Sequence, residues 1–182
     1  MQKNNSQHYN RLSMSLHWLM LLLMIGVYAC IELKGNFAKG SDTRELLKQW
    51  HFMLGLSIFA LVWLRLITRL FTSSPEIKPA PPQWQQIAAH LMHALLYALM
   101  IGAPLAGWIV LSAAEKPIPF FGLELPALTS PDRALAGQVK QWHELAGTVG
   151  YWLIGLHALA ALAHHYLIKD NTLRRMLPKR SR

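Results

Sequence analysis

Charge is missing from four long stretches of this chain, residues 12–31, 49–64, 84–114 and 145–168, and charged positions crowd into the segments between them. Inside the stretches the apolar residues do not keep to one helical stripe, since 19–27 and 95–101 are apolar all round. A soluble four-helix bundle would keep a polar face at helical period. Three of the stretches exceed the roughly 18 to 20 residues needed to cross a hydrocarbon core. The second reaches that length because Arg65 is close enough to its end to snorkel while Leu66, Ile67 and Leu70 prolong it. The pattern predicts an all-α integral membrane protein, a bundle of four transmembrane helices at about 12–33, 48–70, 84–112 and 140–169 forming one domain over 1–182. The first stretch is too long for a signal peptide and has no small-residue cleavage site before Glu32 and Lys34, so it reads as a retained span.

The connections are short, at 32–47, 72–84 and 115–140. Pro75, Pro79, Pro81 and Pro82 stiffen the second. The third is the longest, and its Lys116-Pro117-Ile118-Pro119-Phe120-Phe121-Gly122 run reads as a structured lid, because aromatics argue against disorder.

The formal charge of +9 changes the picture by its distribution. With four spans both termini share one side, which carries Lys3, Arg11, Arg65, Arg69, Lys78, Lys169, Arg174, Arg175, Lys179, Arg180 and Arg182 against Glu76 and Asp170. The opposite side balances Lys34, Lys39, Arg44, Lys48, Lys116, Arg133 and Lys140 with the remaining seven acids. Eleven cations against seven favour both termini in the cytoplasm. The excess therefore reports topology and attraction to anionic lipid, and no nucleic-acid partner is expected. The single cysteine, Cys30, permits no intramolecular disulfide, and without Cys-x-x-Cys-His any haem is held by coordination alone.

Histidines carry the candidate chemistry. His143 and His157 are fourteen residues apart on the fourth span, which puts them within about 40° of one face and about 21 Å apart along the axis. Imidazoles on a membrane helix need partners other than lipid, and two haem irons fit that spacing. Topology then selects the pairs. His51 starts the second span at the outer level of His143, and His17 starts the first span at the inner level approached by His157. Gly55 and Gly147 each follow a proposed ligand by four residues, where a bare backbone admits a porphyrin edge. Arg65 and Arg69, one turn apart, are candidate partners for haem propionates as well as positive-inside anchors. His90, His93 and His164 lie near the cytoplasmic side as candidates for a quinone site, and His164 is also a rival to His157 as ligand. Trp18, Trp50, Trp84 and Trp142 lie at the expected interfaces, where an aromatic belt would also place them.

Several blocks together resemble the bacterial cytochrome b-561 family: Ser15-Leu16-His17-Trp18, Arg65 with Arg69, Ala89-His90-Leu91-Met92-His93 with Tyr97, and Trp142-His143-Glu144 through Gly150-Tyr151, Leu156-His157, His164-His165-Tyr166 and 169–173. The resemblance spans nearly the whole chain and is greatest to the di-haem branch that oxidises periplasmic superoxide and reduces ubiquinone. It implies two b-type haems on His17, His51, His143 and His157, electron transport as the activity, and superoxide and ubiquinone as redox partners within the lipid membrane. Two imidazoles on each iron would leave no open position for oxygen. Superoxide is an anion, so clustering of the outer cations would be needed to steer it. A cytochrome b subunit relaying electrons between a dehydrogenase or hydrogenase partner protein and quinone is the alternative of a different class. A small transporter would call for acidic intramembrane residues or broken helix pairs, and outside the Pro104 region neither is seen.

Overall fold

The computed structural model describes residues 8–178. Lys3, Lys179, Arg180 and Arg182 of the charge asymmetry lie outside the described residues. Four helices dominate: α1 (Arg11–Leu33), α2 (Asp42–Phe71), α3 (Gln83–Ala113) and α4 (Arg133–Ala163), the last prolonged by a π turn at His164–Ile168. All four are long and apolar enough to cross a membrane. We call the side of the termini and the α2–α3 connection the terminal face, and the other side the distal face.

The helices begin where caps allow, earlier than hydropathy alone marks. The Asn10 side chain accepts from the Ser13 amide, that of Ser41 from Arg44, and that of Asp132 from Ala134 and Leu135. Each such cap stabilises a helix start by about 1 kcal/mol. Asp42 and Glu45 in the first turn of α2 complement its dipole. As a result α2 and α4 start at Asp42 and Arg133 instead of near 48 and 140, and their first turns stand outside the apolar band. The third connection correspondingly ends at Asp132.

That connection is a folded element. Its hairpin pairs β1 (Pro119–Phe120) with β2 (Leu123–Glu124) through Phe121 and Gly122, both at positive φ. Such a primed two-residue turn matches the twist of paired strands. Ile118 is buried against Leu56 and Leu111, and the Phe121 amide points at Met53 Sδ 3.4 Å away, so the hairpin rests on α2.

Helix α1 packs along α2, α3 along α4, and α2 against α3, whereas the α4 backbone stands off from α1 and α2. Met20, Ile58 and Val62 form the main core, with Met24, Tyr97 and Met100 around them. The closest approach of α4 to α1 is at Gly150, where a Cβ would collide with the Tyr28 hydroxyl. That hydroxyl instead donates to the Gly147 carbonyl at 2.9 Å. Side chains bridge the gap beside α4: the Tyr151 hydroxyl donates to Glu32 Oε1 at 2.7 Å, and two pairs of histidines face each other across it.

At the terminal face Lys169 takes a left-handed conformation (φ 61°) that stops the π turn and reverses the chain. Residues 170–177 then cross beneath the bundle as a strap. Trp18 Nε1 donates to the Met176 carbonyl at 2.8 Å, the Tyr9 amide to the Arg175 carbonyl at 3.0 Å, and the Lys78 amide to Asn171 Oδ1 at 2.8 Å. The strap is thus tied to α1 and to the α2–α3 connection.

Candidate functional site

Two imidazole pairs span the gap beside α4. At the distal level the His51 and His143 rings lie 6.0 Å apart between centroids, and at the terminal level His17 and His157 lie 6.3 Å apart. In both pairs the rings are steeply inclined, at 86° and 73°.

The distal pair is oriented by backbone. His51 Nδ1–H donates to the Val27 carbonyl of α1 at 3.0 Å, and His143 Nδ1–H donates to the Ala103 carbonyl of α3 at 2.8 Å. Each donation fixes a neutral tautomer whose Nε2 lone pair is bare, the state a metal needs. His143 passes beside Gly107 of α3, where a Cβ would lie in ordinary van der Waals contact with its ring at 3.4 Å. A Cβ at Gly55 or Gly147 would meet nothing within 4 Å, so the helix surface after each of these histidines is bare.

Side chains organise the terminal pair. Arg65 Nη2 donates to His17 Nδ1 at 3.1 Å, while Arg65 Nη1 is buried with no partner. His93 of α3 enters the same space, its ring 5.5 Å from that of His157. A cavity of about 230 Å³ opens here, lined by His17, His93, His157, Arg65 and Arg69 among others.

The other histidines are dispersed. His90 is exposed and donates from Nδ1 to the Gln86 carbonyl of its own helix at 2.6 Å. His164 donates from Nδ1 to Asp170 Oδ2 at 2.5 Å. Neither lines the cavity, so of the three histidines at this side only His93 joins it. Asp170 is buried, which alone would push its carboxyl up, but hydrogen bonds from His164 and Thr172 outweigh burial and hold it below the usual carboxylate range.

On the distal face Lys34 feels the charges of Arg44, Lys48, Lys140 and Glu144, and its own charge reaches His51. Arg44 Nη1 also donates to the Lys34 and Phe37 carbonyls at 2.9 and 2.8 Å, closing the α1–α2 turn. Lys48 pairs with Glu45 and Lys140 with Glu144, each at 2.6 Å.

Comparison with known proteins decides the family. The model of the prokaryotic cytochrome b561 family matches residues 8–179. The chain belongs to that family. It is 40% identical over 172 residues to cytochrome b561 homolog 1 of Escherichia coli K12, covering 94% of this chain and 98% of that protein. It is also 40% identical over 172 residues to the probable superoxide oxidase CybB of Yersinia pestis, covering 94% and 97%. Cytochrome b561 homolog 2 of Escherichia coli K12 is 26% identical over 186 residues, covering 98% and 95%. The chain is accordingly a multi-pass membrane protein of electron transport, and its family implies b-type haem.

The residues present fit that group, with one adjustment at the terminal level: there His17 Nδ1 accepts from Arg65, which leaves its proton on Nε2, so His17 would take the other tautomer as Arg65 is drawn to a carboxylate of the group. One metal bonded by two imidazoles on opposite sides needs two bonds of roughly 2 Å, plus roughly 1 Å from each nitrogen to its ring centre, or about 6 Å in all. Both pairs have that separation. The orphaned Arg65 Nη1 is matched to a carboxylate such as a propionate.

Sequence reasoning had no means to find the carbonyls of Val27 and Ala103, nor the nearness of His93 to His157.

Proposed function

We propose that this chain is a superoxide:ubiquinone oxidoreductase of the bacterial inner membrane, with both termini cytoplasmic and two b haems. His51 and His143 would hold the distal haem, His17 and His157 the terminal one, and Arg65 and Arg69 would face propionates. A b haem held by two imidazoles supplies one-electron transfer and, with no open position, does not bind oxygen. The observation that carries the superoxide reading is the 40% identity over nearly the whole chain to the probable superoxide oxidase of Yersinia pestis, and Lys34, whose charge reaches His51, is the distal cation placed to attract an anion.

Two superoxide anions become two dioxygen molecules and release two electrons. With two protons these convert one ubiquinone to ubiquinol. His93 is the imidazole positioned to serve protons or a quinone carbonyl at the terminal side, because it alone of the three quinone-site candidates lines the cavity.

Stopped-flow mixing of the purified holoprotein with superoxide tests the proposal. Haem absorbance should change to the reduced form within milliseconds, and Lys34→Glu should slow the second-order rate about tenfold at low salt with little difference at high salt. Haems that stay oxidised would overturn the reading and leave a relay for a dehydrogenase or hydrogenase, which would copurify with a soluble redox subunit in mild detergent.

A further inference from the structure

The strap brings a third guanidinium to the terminal cavity. Arg175 is buried, with Nη1 donating to the Pro75 carbonyl and its plane 5.6 Å from the Tyr9 ring centroid. Its Nε is buried with no partner, and so is Thr172 Oγ1, three residues earlier on the same strap. Both residues line the cavity that also holds Arg65 and Arg69. No carboxylate lines it among the described residues. The nearest acid of the strap, Asp170, is committed to His164 and to the Thr172 amide. A buried cation without an anion is costly, and Arg175, joined at the same cavity by half-buried Arg65 and exposed Arg69, calls for anionic oxygens.

We propose that Arg175 and Thr172 receive a carboxylate of the terminal haem, so that strap residues 169–177 form the floor of that cofactor site. This rests on the reading that His17 and His157 hold a haem. Arg175 is well suited to the task. Its backbone carbonyl is fixed by Tyr9, its amide donates to the Asn171 carbonyl at 3.0 Å, and one side of its guanidinium is already occupied by Pro75. What is left without a partner is Nε, on a residue that lines the cavity. Ordering a rotamer-rich arginine in advance is what makes a charge-assisted hydrogen bond there strong.

The test is a redox titration of the holoprotein in nanodiscs of phosphatidylcholine alone, with haem content measured in parallel. Reduction adds negative charge to the haem, and a nearby cation favours it. Arg175→Gln should therefore lower the midpoint of one haem by about 59 mV, a tenfold change in a one-electron equilibrium constant, and leave the other unchanged. Thr172→Val, which keeps the amide bond to Asp170, should lower the same midpoint by less. Arg175→Lys should stay within about threefold of wild type. Two unchanged midpoints, or a shift that appears only when anionic phospholipid is added, would overturn the proposal, the latter by assigning Arg175 to a lipid headgroup. Fewer than two haems in the wild-type protein would instead sink the di-haem reading on which it stands.

Discussion

The distal and terminal histidine pairs have nearly the same separation and are built by opposite means. At the distal level both Nδ1 atoms are satisfied by helix carbonyls, those of Val27 and Ala103, so ring orientation follows once the helices have packed. At the terminal level His17 depends on Arg65, His157 is crowded by His93, and strap residues Thr172, Leu173, Arg175 and Met176 line the cavity from outside the four long helices. A site held by backbone is fixed with the fold, whereas one held by long charged side chains is completed by what it binds. The distal pair should accordingly be the more rigid, and the terminal pair the more easily altered by single substitutions around it.

Removing a ligand is the strongest way to break the comparison. His143→Ala should yield protein with only the terminal haem, whereas His157→Ala should keep the distal haem and lose most of the terminal one. Haem-to-protein ratios with reduced-minus-oxidised spectra would check this. His157→Ala has a possible replacement imidazole in His93 only 5.5 Å away, while the distal pair has no third histidine in ring contact among the described residues. His157→Ala should thus recover part of its terminal haem, and His157→Ala with His93→Ala should lose it fully. Equal losses in the two single variants would erase the distinction between the sites.

The same contrast explains what could be read from the sequence. Uncharged stretches of membrane length gave four helices, because lipid imposes a composition that no local detail can override. Helical arithmetic grouped His17, His51, His143 and His157 into two levels, since a rigid helix converts spacing directly into depth. Helix starts at Asp42 and Arg133 were displaced because a cap acts outside the apolar band that hydropathy detects. The separation of His90 and His164 from His93 was not legible either: three residues of spacing put His90 and His93 on one broad face, and only the packing of α3 on α4 turns one inward. Arg175 was counted as a topology charge, since nothing local says that the chain reverses at Lys169 and returns beneath the bundle. The 169–173 block of the family resemblance was the one hint that this tail has a fixed structure.

A smaller effect separates the strap from the helices. Asp170 is held below the usual carboxylate range, so its contribution is complete above that range and is lost as pH falls through the depressed value. Hydrogen–deuterium exchange of amides 170–177 should be unchanged from neutral pH down to the carboxylate range and accelerate only below it, while α1–α4 stay protected. Asp170→Asn should accelerate strap exchange at neutral pH and remove that acid dependence. An acid transition that persists in Asp170→Asn would assign the control to another group.

The smallest expected effect concerns the point where helix becomes strap. Lys169 is an L residue at φ 61°, a conformation that costs roughly 1–2 kcal/mol relative to a right-handed one. Glycine removes most of that cost but adds about 0.4–1 kcal/mol of unfolded-chain entropy. Lys169→Gly should therefore stabilise the folded protein by roughly 0.5 kcal/mol, seen as a slightly higher thermal midpoint in detergent. Lys169→Val should lower it, because a β-branched side chain tolerates the left-handed region worst. If valine and glycine gave the same midpoint, the turn would be absorbing the change elsewhere, and the strap would be joined to α4 by a joint that sequence can vary freely.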